Sequence, residues 1–300
     1  MHPKDLKFWV TLHSVEGIGA ATFAKLLQKF GSPEDVFSAA IEDIASIPRL
    51  SLDKAKEILA AIEKLDQSEK MMLQLYDYGA EIVTIEDEAY PVMLRTIKNP
   101  PPILYCISRM TDADQKSIAI VGSRDASDYG LRIARGFGSR LAERGYTIIS
   151  GYAKGIDTEG HLGALEAGGR TILVLSTGLM HFKLRDAGFE SIEYLKNQGG
   201  IISEFYPTTS WTVGAAMARN RIVVGLSQAV LVVECKIKSG TMNTAGVAKE
   251  ANKPLFVLKY NDAGEHVLGN EELLKSGAIP VSRFADVEII ERTLEKSLLH

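Results

Sequence analysis

Three hundred residues, 46% hydrophobic and 24% charged, are material for one large or two smaller globular domains with a buried core. Two cysteines, Cys106 and Cys235, and no apolar run of about 18 residues argue against a disulfide framework, a zinc knuckle and a membrane span, so a soluble cytoplasmic protein is expected. The net charge of −4 is unevenly spread: residues 1–115 hold 12 Lys/Arg against 18 Asp/Glu, and residues 116–260 hold 18 against 12, which places any anion site in the middle segment.

Residues 1–70 read as a helical domain, because "KDLKFWVTLHS", "AATFAKLLQKFG", "SPEDVFSAA" and "LDKAKEILAAIEKL" carry apolar residues at three-to-four spacing. "VEGIG", Val15 to Gly19, has the two glycines of a helix-hairpin-helix, and "IASIPRLSLDKAKEIL" resembles a second copy without them. Such hairpins meet phosphate through backbone N–H groups, but they also serve as packing modules, and the acidic balance leans toward packing. Residues 71–115 read as an extended connector: strands "AEIVTI" and "ILYCIS" flank the proline cluster Asn99 to Pro102, which suits an edge.

From 116 to 287 the pattern turns regular. Apolar strands at "SIAIV", "YTIIS", "TILVLS", "GIIS", "AVLVVE" and "PLFVL" alternate with helical stretches such as "YGLRIARGFGSRLAERG". This alternation predicts an α/β, Rossmann-like doubly wound domain with a mainly parallel sheet, followed by a tail helix over 288–300.

Ligands of such sheets bind beyond the carboxyl ends of the strands. "GSR" (Gly122, Ser123, Arg124), "SGYAKGID" (with Gly151, Lys154 and Gly155), "STGL" and "KIKSGT" (with Ser239, Gly240 and Thr241) all fall there, and "ARNR" (with Arg219, Asn220 and Arg221) leads to the fifth strand. Glycine admits close backbone approach, and the bases supply charge. Asp157 is expected as a helix N-cap, and His161 as its partner or a packing group. No G-x-G-x-x-G, P-loop, H-E-x-x-H or Cys/His cluster is present, so neither a cofactor nor a metal is expected, and no nucleophile–base set is visible. Tyr152 and Phe182 are the first candidates for stacking on a base, and Trp211 the weaker one.

The combination of "IAIVGSRDASDYG", "IISGYAKGIDTEGHLGALEAGGRTILVLSTG", "GGIISEFYP", "ARNRIVVGLSQAVLVVE" and "SGTMNTAGVAKEANKPLFVL" resembles the DNA-processing protein A family, DprA or Smf. The resemblance implies a non-enzymatic, single-stranded DNA-binding protein that passes the strand to a RecA-type recombinase in natural transformation. It also implies a helical N-terminal domain, a core that forms a homodimer, and DNA contacts through Gly122, Ser123, Arg124 and Lys154, with Arg219, Asn220, Arg221 and Ser239 to Thr241 completing the wall. The sequence departs from the family pattern at "MHFKLRD", "PTTSWTVGAAM" and "VLKYNDAGEH", and the C-terminal winged helix of many members is expected to be absent. The competing reading is a phosphoribohydrolase-like enzyme acting on nucleoside monophosphates, of whose loop only Gly240 and Thr241 survive. The segment "EELLKSGAIPVSRF" is the expected dimer interface.

Overall fold

The structure, a computed structural model, describes residues 3–261 and 264–297. The last residues of the expected tail helix, 298–300, and residues 262–263 of "VLKYNDAGEH" lie outside the described residues.

Six helices open the chain: α1 (Pro3–His13), α2 (Ala20–Phe30), α3 (Pro33–Ser38), α4 (Ile41–Ala45), α5 (Leu52–Ala60) and α6 (Leu65–Asp77). Their starts follow local chemistry. Ser32 caps α3 by accepting from the Asp35 N–H, with Pro33 at the first position, and Ser51 caps α5 by accepting from the Lys54 N–H. The turn between α1 and α2 holds Gly17 at φ 79°, and the turn before α5 holds Arg49 at φ 76°. The second hairpin therefore closes like the first, with arginine taking the left-handed position that glycine fills in the first copy.

One sheet organises the rest. Its strands are β1 (Glu81–Thr84), β2 (Ile103–Ile107), β3 (Ser117–Val121), β4 (Thr147–Ser150), β5 (Thr171–Val174), β6 (Gly199–Ser203), β7 (Ala229–Val232), β8 (Leu255–Leu258) and β9 (Ile279–Val281), in the order β1-β2-β6-β5-β4-β3-β7-β8-β9. The pairings from β6 across to β9 are parallel; β2 joins β6, and β1 joins β2, antiparallel. The stretch read as a connector thus extends the sheet by two strands. β9 was not expected from the sequence, because three residues around Pro280 carry almost no strand signal, and an edge position is where proline is tolerated.

The helices between and after the strands are α7 (Val92–Arg95), α8 (Asp128–Glu143), α9 (Ile156–Glu166), α10 (Ile192–Asn197), α11 (Val213–Gly225), α12 (Gly240–Glu250), α13 (Leu268–Lys275) and α14 (Val287–Ser297). Alternate strand residues face opposite layers. Ala119, Ile149, Val230 and Val257 pack on the side of α11 and α12, whereas Ile118, Ile148, Leu231 and Phe256 pack on the side of α8 and α14. The N-terminal helices belong to the second layer. Trp9, Phe23 and Leu26 share one apolar cluster with Ile103, Tyr105 and Ile107 of β2 and Leu173 of β5. His13 Nδ1 lies 3.0 Å from the Tyr105 hydroxyl across that seam, and burial lowers its pKa to about 4. Leu273 and Val281, within the expected dimer segment, are buried in the chain's own core, while Phe284 stays 41% exposed.

α8 and α9 touch backbone to backbone. A Cβ on Gly163 would overlap the Arg135 carbonyl, and one on Gly138 would overlap the Gly160 carbonyl. These two helices follow the loops after β3 and β4, so their separation sets the distance between those loops. Gly163→Ala is expected to destabilise the fold by about 1–3 kcal/mol in urea unfolding, through overpacking against main chain. Gly246→Ala, where no atom lies within 4 Å, is expected to be neutral or to stabilise by about 0.5–1 kcal/mol through helix propensity.

Candidate nucleic-acid interface

The chain leaves β3 toward β4, β5 and β6 on one side and enters β7, β8 and β9 on the other, so the strand order reverses between β3 and β7. The loops beyond the carboxyl ends part there and leave a crevice. The loop after β3 is fixed on both flanks: the Ser123 N–H donates to the Glu234 carbonyl at 2.7 Å, and the Ile156 N–H donates to the Ser123 carbonyl at 3.2 Å. Gly155 enables the second contact, with φ +85° and no room for a Cβ against the Ser123 carbonyl.

Asp157 does not cap α9; Gly155 occupies the N-cap position. The Asp157 carboxylate instead turns back and accepts from the N–H groups of Gly151 (3.1 Å) and Ala153 (3.4 Å), which holds the loop after β4 in shape. Burial raises its pKa, with Arg219 opposing the shift. His161 bonds the Thr171 hydroxyl at 2.6 Å rather than Asp157. Burial, reinforced by the charge of Arg219, lowers its pKa to about 3, so the ring is neutral at pH 7.

Arg219, from α11, is only 5% exposed. It donates to the Val174 carbonyl at 3.0 Å, and its guanidinium fills the space where a Cβ of residue 151 would stand. Gly151 is therefore the residue that admits this cation to the sheet edge. Desolvation pulls the Arg219 pKa down and Asp157 pulls it back, while its Nε has no hydrogen-bond partner among the described residues. Asn220, next in sequence, reaches Asn243 Oδ1 (3.1 Å) and the Gly240 carbonyl (3.4 Å), tying α11 to the start of α12. Ser239 caps α12 by accepting from the Met242 N–H.

Arg221 departs from the expected wall. It pairs with the buried carboxylate of Glu204, close enough to Tyr90 for its charge to act on that phenol, and lines none of the edge cavities. Residues two apart on a helix face away from each other, so Arg219 and Arg221 cannot serve one pocket.

Three adjoining cavities meet at Arg124. The first, about 370 Å³, is bordered by Gly122, Ser123, Arg124, Gly151, Arg219, Asn220 and Ser239 to Thr241, and faces an apolar wall of Trp211, Val213 and Met217. Lys154 and Gly155 stand outside it. Lys154 borders the other two, of about 510 and 600 Å³, and Gly155 the smaller of them. The sequence reading missed Lys183 and Arg185, which border the largest cavity. Their signal was the basic run within "MHFKLRD", visible only as a departure from the family pattern.

The order of the aromatics is reversed as well. Tyr152 (5% exposed) and Phe182 (7%) pack against each other at 5.6 Å, and the Tyr152 hydroxyl accepts from the Arg185 N–H at 2.7 Å. Trp211 is 48% exposed, with the Arg124 guanidinium 5.6 Å from its ring centre. It is the most exposed of the three rings. Among the described residues, no group of three His, Cys, Asp or Glu side chains is placed to hold a metal ion, and no helix is long and apolar enough to cross a membrane.

Comparison with known proteins agrees with this architecture. Residues 10–64 match a SAM-like helix-hairpin-helix tandem, in keeping with the paired turns at Gly17 and Arg49. The Smf protein of a Synechocystis species is 31% identical over 282 residues, covering 93% of this chain and 70% of its own. The crystal structure of DNA processing protein A from Streptococcus pneumoniae superposes with a TM-score of 0.79 at 26% identity, over 94% of this chain and 97% of that one. DNA processing protein A from Helicobacter pylori, described by its unique single-stranded DNA binding mode, superposes with a TM-score of 0.61 at 30% identity, over 72% and 97%. Residues 81–291 match the model for DNA recombination-mediator protein A, and the chain belongs to that family.

Proposed function

We propose that this protein binds single-stranded DNA at the carboxyl edge of its sheet, without sequence preference, and presents it to a RecA-type recombinase. The observation that carries the reading is the meeting of three cavities at Arg124, on glycine loops where the strand order reverses. Such an edge suits an unpaired strand, whose backbone meets cations while its bases meet exposed apolar faces. The Helicobacter pylori relative supports the ligand class, and membership of the recombination-mediator family supports the role. The protein acts as a binder in the cytoplasm. The carboxylates in the first cavity do not favour hydrolysis, since Asp157 is engaged by backbone amides and Asp125 is exposed. Incubation with AMP should release no adenine.

Gel-shift titration tests the main claim: single strands bind more tightly than blunt duplex, with a salt slope of about −0.7 per phosphate neutralised. Arg124→Ala and Lys154→Ala each weaken binding and flatten that slope by about one contact, whereas Lys249→Ala, on the exposed side of α12, binds like the parent. Equal affinity for duplex and single strand would refute the reading.

Trp211→Ala should cost about 1–3 kcal/mol of affinity with little change in melting temperature, as expected for a ring stacked on a base. Tyr152→Ala should lower the melting temperature first, because that ring sits within a buried aromatic group.

The protein works as a homodimer formed through the sheet domain, so that two edges hold one strand and gain from effective concentration. With Leu273 and Val281 committed to the protomer's interior, Phe284 is the exposed large apolar side chain of that segment left for the contact. Light scattering at micromolar concentration should give twice the monomer mass, and Phe284→Asp should return it to the monomer value.

A further inference from the structure

The three cavities at the sheet edge differ in charge. The first pairs its cations with Asp125 and Asp157 and has the apolar wall of Trp211 and Met217. The one beneath Lys154 toward α9 includes Asp125, Glu159 and Asp186. The largest, between the loops after β4 and β5, is bordered by Arg124, Lys154, Lys183, Arg185 and Arg219 and by no carboxylate. Five cations surround one cavity of about 600 Å³ whose own lining holds no carboxylate; Asp157 offsets Arg219 from outside it, and the rest of the positive charge faces the cavity.

The cations are also differently held. Arg219 is buried with its Nε unpartnered. Arg185 is braced, donating to the Tyr152 carbonyl with its guanidinium 4.5 Å from that ring's centre. Lys183 is exposed and has no ion-pair partner among the described residues. A pre-placed guanidinium beside a free ammonium is an arrangement that receives a phosphate, since bracing lowers the ordering cost of binding.

We propose that the cavity between the loops after β4 and β5 is the phosphate seat of the bound strand, with Lys183 and Arg185 as contacts, and that the first cavity takes a base against Trp211. Trp211 and Arg124, with Gly151, Ala153 and Arg219, border both cavities. The nucleotide is thereby divided between them, its backbone in the cavity beside the loop after β5 and its base in the one beside the start of α12. This rests on the reading of the edge as a single-strand site and assigns the parts of the strand within it.

Lys183 gives the cleaner test, because Arg185 also braces the loop at Tyr152. Fluorescence anisotropy with a short oligo-dT should show Lys183→Ala binding about three- to tenfold more weakly than the parent, with a salt slope shallower by about 0.7. Lys183→Glu should be weaker again, and both should melt at the parent temperature. On an otherwise identical abasic strand, the Lys183→Ala loss should persist while the Trp211→Ala loss disappears. If Lys183→Ala and Lys183→Glu bind both strands like the parent while Arg124→Ala is weakened, the phosphate seat is overturned and single-strand binding stands. If Arg124→Ala and Lys154→Ala are also indistinguishable from the parent, the edge is not the DNA site, and the seat falls with it.

Discussion

A buried guanidinium organises the functional edge. Placing Arg219 at the end of β5 requires a carbonyl to receive it, a neighbouring carboxylate, and a position on the next loop with no side chain. Val174, Asp157 and Gly151 meet those three demands. An unpaired charge at that depth would be costly, so Asp157 and Arg219 are energetically tied even though no direct hydrogen bond joins them. Asp157 also gathers the amides of the loop after β4, so the group that offsets the charge shapes the loop that carries Lys154.

The consequence for recognition is a division between rigid and adaptable parts. Arg219, Asn220 and the start of α12 form one hydrogen-bonded frame, and Ser123 ties the loop after β3 to the loop after β7. Arg124, Lys154 and Lys183 extend from that frame into solvent. Long flexible cations on a fixed base tolerate many backbone conformations, which suits an unpaired strand better than a duplex of fixed groove geometry.

Much of this was legible in the sequence, because continuous apolar strands alternating with amphipathic helices admit few architectures. The glycine-plus-base loops could be placed on one edge once the strands were parallel. Other features carry no local signal. β9 is three residues long and contains proline. The divergence of Arg219 and Arg221 follows from helical rotation, which the motif "RNR" conceals when read as a unit. Tyr152 looked available because it lies in a glycine-rich loop, but the folding back of residues 182–189 buries it, a tertiary event beyond any spacing rule. Lys183 and Arg185 have no glycine beside them and stand in a segment that departs from the family pattern, so no local signal of the glycine-plus-base kind points to them. Arg49 shows the converse, with a turn preserved where its glycine is gone.

The seam between α1 and β2 bears on how the molecule comes apart. Ile103, Tyr105 and Ile107 are buried by helices that precede them by dozens of residues, and His13 reaches the Tyr105 hydroxyl from the same side. Removing the first seventy residues would expose part of one face of a strand whose other face is already packed. The remaining fragment would be prone to self-association through that bared face. Loss of the helices would therefore take buried apolar surface from the sheet, which links the stability of the two parts.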